Sequence, residues 1–308
     1  MARRSFTGRE LLLMLTGAMA AYPQDFGQDG AQSRAKFRSD VQWVNVAFSV
    51  RDRSGRLVEN VTREEVEVYE DGVVQPVRFF GRTTDLPLTI GLIVDASGSQ
   101  KSFVKDHHRD VDRFLKDVVG PKDRAFLLRV GNSLRLVADH TSSAKLVMEE
   151  LDRFEHGERG FPTLGPREIR VAGTAFYDAL YYASLEKMIG TEPGRRALVV
   201  FSDGEDNASA HHMIDAIEAA QSAGALVYAV RYTEPRKGIL TARNKYGMSV
   251  MARIAGETGG AAFDARKEKM GRLFREIGAE LRTLYEVAYS PLNASRDGTF
   301  RKVRVHLR

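Results

Sequence analysis

The apolar positions change period twice along the chain. In VNVAFSV, Val44, Val46, Phe48 and Val50 alternate with small or polar residues, the period of a half-buried strand. Ser54-Gly55 marks a turn, and VEVYEDGVVQPVRFF reads as a strand pair around Asp71-Gly72. At the other end, YEVAYSP and TFRKVRVHLR supply two more strands, separated by the turn-rich residues Leu292 to Gly298. Neither end has enough strands to close a core alone. The pattern therefore predicts one small antiparallel β-sandwich built from residues 41–86 and 285–308.

Between the ends, strands alternate with helices. LPLTIGLIVD is a continuous apolar run, as a strand buried on both faces requires, and Val104, Val111, Leu115 and Val118 then line one face of a helix over Lys101 to Val119. DRAFLLRV and SLRLVAD flank Gly131-Asn132 as a hairpin, and a helix over Ser142 to Phe154 takes Ser142 or Ser143 as its cap. Helix Thr174 to Met188, strand RRALVVFSD, helix Ser209 to Ser222, strand ALVYAVRY, helix Met248 to Thr258, short strand GAAFD and helix Lys267 to Leu284 complete the series. The predicted fold class is α/β: a doubly wound, mostly parallel sheet flanked by helices over residues 87–284, with the sandwich beside it.

Composition narrows the setting. A chain of 308 residues with 43% hydrophobic content can bury a sizeable core. The net charge is +5, and the first twenty residues hold Arg3, Arg4 and Arg9 against Glu10, so the remainder is close to neutral and gives no footprint for nucleic acid. There is no cysteine, which excludes disulfides and thiolate metal sites. MARRSFTGRELLLMLTGAMAAYPQ has a basic start, an apolar run and Ala18-Met19-Ala20 as a small-x-small cleavage pattern, so residues 1–20 are expected to be a signal peptide. Arg3-Arg4-Ser5-Phe6 is similar to a twin-arginine signal, with the Sec route open. Residues 21–40 read as a tether, and no later run has the length of a transmembrane helix.

Two predicted strands end in acid, GLIVDASGS and LVVFSDGED, and the loop RVAGTAFYDAL brings Gly173-Thr174 to a helix start at the same sheet edge. Ligands of doubly wound sheets bind beyond that edge. Asp95, Ser97, Ser99, Thr174 and Asp203 offer oxygen ligands without sulfur or imidazole, which suits a hard cation such as Mg²⁺ or Mn²⁺.

Asp-x-Ser-x-Ser after a buried strand, a distant Gly-Thr and a later strand ending in Asp-Gly resemble the metal-ion-dependent adhesion site of von Willebrand factor type A (VWA) domains. The flanking segments resemble a bacterial exported branch, the VWFA-related acidobacterial domain family. The resemblance implies that Ser97, Ser99 and Thr174 ligate the ion directly and that Asp95 and Asp203 reach it mostly through water. It also implies that a Glu or Asp of a protein partner fills the remaining position. Where many relatives have Gly-Gly-Thr, this chain has Ala172-Gly173-Thr174.

Rival readings of the same residues are weaker. A nucleophile elbow at Ser97 wants glycine at the positions held by Asp95 and Ser99, and a phosphoaspartyl enzyme wants a second acid where Ser97 stands. The pairs His107-His108 and His211-His212 read as solvated helix positions, because neighbours on a helix point about 100° apart. Glu205 and Asp206 read as rim acids or ordinary loop acids, Asp178 as an orienting or pairing residue, and Glu155 to Val171 as the source of specificity or a segment whose length reflects disorder. The expected protein is an exported, periplasmic or secreted, non-enzymatic binding module. A metal-dependent hydrolase and a structural module with a vestigial site remain as alternatives.

Overall fold

The computed structural model describes residues 43–52, 57–82, 86–131, 133–166, 173–191, 194–235, 238–293, 295 and 301–308. The expected signal peptide and tether, the Ser54-Gly55 turn, Asn132, residues 167–172 and most of the 292–298 turn lie outside them.

The chain enters at β1 (Val44–Phe48), then β2 (Val66–Glu70) and β3 (Val73–Gln75) form a hairpin through Asp71 and Gly72, both at positive φ. Pro76, which has no N–H to give a ladder, ends β3, and β4 (Val77–Arg82) pairs in a different sheet. The doubly wound part follows. It runs through β5 (Leu88–Asp95), α1 (Val104–Val118), β6 (Arg124–Val130), β7 (Leu134–Thr141), α2 (Ala144–Glu155), α3 (Phe176–Tyr182) and β8 (Arg195–Ser202). It then continues through α4 (Met213–Ser222), β9 (Ala225–Arg231), α5 (Ala242–Glu257), β10 (Ala262–Asp264) and α6 (Met270–Arg282). The chain closes with β11 (Tyr285–Tyr289) and β12 (Val303–Leu307).

The central sheet has the order β10-β9-β8-β5-β6-β7, parallel except for β7, which is antiparallel to β6. The order reverses at β5 and β8, so the crevice beyond their carboxyl ends is the switch point of the sheet. All eight residues of β5 are buried, as its unbroken apolar run requires. Helices α1, α2 and α6 bury Val111, Phe114, Leu151 and Phe274 against one face. Helices α3, α4 and α5 bury Phe176, Leu180, Ile217 and Ile254 against the other.

The two chain ends form a pair of three-stranded sheets, β1-β11-β4 and β12-β2-β3. Their inward residues share one core, with Val46, Phe48 and Tyr289 from the first sheet meeting Val68 and Val305 from the second. Tyr289 Oη donates to the buried Glu70 Oε2 at 2.6 Å, joining the sheets by a polar link inside that core. β11 begins three residues after α6, so the sandwich is attached directly to the doubly wound part.

Several helix boundaries differ from the expected ones. The helix expected from Lys101 starts with a 3₁₀ segment, Gly98–Phe103, before α1. The helix expected over Thr174 to Met188 divides into α3 and a π-helical segment, Ala183–Met188. α5 starts six residues before the expected Met248, because Thr241 Oγ1 accepts from Asn244 N and caps it there. Ser143 is the cap of α2, accepting from Leu146 N.

Candidate functional site

Asp95 ends β5 and is buried, with both carboxylate oxygens held: Ser97 N donates to Oδ1 at 2.8 Å and Ser202 Oγ to Oδ2 at 2.6 Å. Asp203, one residue beyond β8, is buried as well. Its Oδ1 accepts from Glu205 N at 3.1 Å and its Oδ2 from Gln100 Nε2 at 2.9 Å. Burial pushes the Asp95 carboxyl up to about 6; the hydrogen bonds from Ser202 and Ser97 oppose this, and the Asp203 charge adds to it. The floor of the crevice is thus a pair of immobilised, mutually repelling acids.

Above this floor the hydroxyls face outward. Ser97 is half-buried, Ser99 is exposed, and their Oγ atoms share a hydrogen bond of 3.0 Å. Octahedral Mg²⁺ with oxygens at about 2.1 Å places neighbouring ligand oxygens about 3 Å apart, so the two hydroxyls already stand at the spacing of adjacent ligands. Two acids and two hydroxyls, without nitrogen or sulfur, fit a hard divalent ion.

Thr174 reaches the same edge from another loop. Gly173 precedes it at φ 120°, where a Cβ would come within 2.5 Å of Asn207 Oδ1. Asn207 Oδ1 accepts from Thr174 N at 2.7 Å, and Thr174 O accepts from Asn207 N and Ala208 N. Ala175 N donates to Gly131 O, fixing the loop to the turn between β6 and β7. The Thr174 loop is therefore docked on the Asp203 loop, while Asp95, Ser97 and Ser99 are joined by hydrogen bonds of their own and Asp203 is tied to the Ser99 segment through Gln100. Gly247 of α5 packs against the Asp203 loop so closely that a Cβ would lie 2.3 Å from Asp203 O.

Three residues that hold this site were not among those singled out by the sequence: Gln100, Ser202 and Asn207. Ser202 and Gln100 each sit beside a residue that was, one before Asp203 and one after Ser99. Gln100 donates to Asp203 and to Tyr232 O, so its amide orientation is set by two acceptors.

The expectation that the histidine pairs are solvated is corrected for His107. Its ring is fully buried, edge-on to Tyr232 at 4.4 Å between centroids, and neither ring nitrogen has a hydrogen-bond partner among the described residues. α1 presents His107 to the sheet and only His108 to the surface. His211 is also engaged, stacked on Tyr181 at 3.7 Å with Nδ1 2.8 Å from Asp178 Oδ1. Asp178 is fully buried and accepts from Ala210 N and His211 N, so it ties α3 to the loop after β8. Glu205 pairs with Arg243 at 2.6 Å, and Asp206 accepts from Tyr177 N and Ser209 Oγ. The described part of the 155–171 segment lies along β7, with Leu136 N donating to Pro162 O and Leu164 N to Leu134 O.

No protein-family model and no curated protein matches the chain. Solved structures similar to it include an aerotolerance-related membrane protein from Bacteroides fragilis NCTC 9343, at 19% identity, 63% of this chain, 98% of that one and a TM-score of 0.45. Proximal thread matrix protein 1 from the mussel byssus, with a zinc-occupied MIDAS motif, is 15% identical over 74% of this chain and 50% of that one, with a TM-score of 0.47. The SpRpn10 VWA domain is 12% identical over 61% of this chain and 93% of that one, with a TM-score of 0.41. The strand order, the antiparallel β7 and the helix layers carry the assignment of the fold. It is VWA-like. Among the described residues, no helix of this VWA-like chain is long and apolar enough to cross a membrane.

Proposed function

We propose that the chain is an exported VWA-domain protein of the acidobacterial branch that its flanks resemble. In this reading residues 1–20 are the signal peptide, 21–40 a tether, 87–284 the VWA domain, and 41–86 with 285–308 the sandwich. Ser97, Ser99 and Thr174 hold a Mg²⁺ or Mn²⁺ ion by their hydroxyls, and Asp95 and Asp203 supply the negative charge beneath it. The observation that carries the reading is the Ser97–Ser99 hydroxyl pair at 3.0 Å over two anchored, buried carboxylates. When bound, the ion supplies an electrophilic position for an outside oxygen ligand.

The chain's own residues determine what that position accepts. Two carboxylates balance a divalent ion, so an inner shell of neutral hydroxyls leaves attraction for an acidic side chain of a protein partner. The carboxylate beside the Ser97 hydroxyl, Asp95, has both oxygens already held by Ser97 N and Ser202 Oγ, which favours binding over hydrolysis. Calorimetric titration of Mg²⁺ and Mn²⁺ into the chelator-treated protein tests the reading. One bound ion, lost in a folded Ser97→Ala/Ser99→Ala variant, is expected. Absence of binding in the parent overturns it and leaves a structural module.

A further inference from the structure

We propose a second metal site, separate from the Asp95–Ser99 cluster, formed by His108 of α1 with Asp152 and Glu155 of α2. Asp152 and Glu155 are three apart and share one helix face, and α2 lies beside α1 on the same side of the sheet. One ligand atom from each of the three residues lies within 4.8 Å of the other two. His108 Nε2 is 2.8 Å from Asp152 Oδ1. Glu155 Oε1 also forms an ion pair with the buried Arg129, whose Nη1 stands at 3.8 Å.

One imidazole and two carboxylates are the donors of a zinc-type site. Zinc at about 2.0–2.2 Å from each donor needs the ligand atoms roughly 3.3 Å apart, a closure that rotation of surface side chains supplies. Both acids stand in the last turn of α2, where the helix dipole favours positive charge. Arg129 opposes a second cation, so the nitrogen donor decides the affinity, and Zn²⁺ or Co²⁺ is favoured over Mg²⁺. The two clusters would therefore sort metals, the hydroxyl site taking hard ions and this one taking nitrogen-preferring ions. Because α1 follows directly from the Ser97–Ser99 segment, an ion here would also pin the start of that helix to α2.

The test is calorimetric titration of Zn²⁺ into the chelator-treated full chain in saturating Mg²⁺, with His108→Ala, Asp152→Asn and Ser97→Ala/Ser99→Ala run in parallel. The parent and the double serine variant are expected to take up one equivalent of Zn²⁺, and His108→Ala and Asp152→Asn to bind it at least about tenfold more weakly. Co²⁺ should give visible absorption in the parent that is lost in His108→Ala. His108 is one-third exposed, so its truncation is expected to leave the metal-free melting curve unchanged. Equal Zn²⁺ uptake by the parent and both helix variants overturns the site, as does no uptake by the parent.

Discussion

Ser202 Oγ donates to Asp95 Oδ2 across adjacent strands, 2.6 Å apart, and also accepts from Gly204 N at 3.0 Å. A single buried hydroxyl therefore anchors one acid of the crevice and shapes the loop that carries the other. Ser202→Ala removes both bonds while leaving their partners buried, at a cost of about 1–3 kcal/mol. Urea denaturation of the metal-free protein should show that loss as a lower midpoint at unchanged slope. An unchanged midpoint would mean that the loop holds without Ser202.

Gln100 plays the corresponding part for Asp203. Gln100→Leu keeps the side chain's bulk but removes the donor to Asp203 Oδ2. Loss of such an outer contact weakens metal sites by about tenfold or more. The expected result is a Mg²⁺ affinity lowered by that factor with stoichiometry unchanged. Equal affinities in the variant and the parent would show that Asp203 needs no help from Gln100.

What the sequence made legible follows from how local each signal is. The unbroken run from Leu88 to Val94, ending in Asp95, could only be a strand buried on both faces, and it is. The hairpin at Asp71-Gly72 was readable because the turn needs positive φ, and both residues have it. The meeting of the chain ends was readable from the shortage of strands at each. The early start of α5 was not, because ARNKYG has no apolar stripe; Thr241 caps it and Gly247 seats it on the Asp203 loop, a tertiary contact. His107 was missed because the two histidines were read together, while the 100° between them turns His107, three before Asp110 and four before Val111, to the core. Ser202 and Gln100 act through partners 107 and 103 residues away, and no spacing rule points to such pairs.

His107 makes acid stability testable. Burial, with the Arg129 charge adding to it, pushes its imidazole down to about 3 from an ordinary 6.5. The unfolded chain therefore binds a proton between those values that the folded chain refuses. The contribution of the neutral ring is fully present above pH 6.5 and is lost as pH falls toward 3. Its slope approaches 1.4 kcal/mol per pH unit, the usual equivalence, so about 2 kcal/mol is lost by pH 5. His107→Phe suits a site lined by Phe103, Phe201 and Tyr232 and removes the proton-binding group. Denaturation at pH 7 and pH 5 should show a smaller decrease for the variant than for the parent. Equal decreases would place the acid sensitivity elsewhere.

Two glycines of α5 separate helix propensity from contact. Gly256 faces open space, and alanine there should stabilise the helix by about 0.5–1 kcal/mol, the ordinary gain of replacing glycine inside a helix. Gly247 has the same propensity gain available, but its Cβ would lie 2.3 Å from Asp203 O, a backbone atom that cannot move without moving the crevice floor. Gly204 on the facing loop is equally close, a Cβ there coming within 2.5 Å of Gly247 O, so neither side has room to retreat. Overpacking of this kind costs about 1–3 kcal/mol and should exceed the helix gain. Thermal melting is expected to rise for Gly256→Ala and fall for Gly247→Ala, with Mg²⁺ affinity lowered only in the second. A rise in both would mean that the Asp203 loop yields to α5, and that the acid at position 203 is less firmly placed than its hydrogen bonds imply.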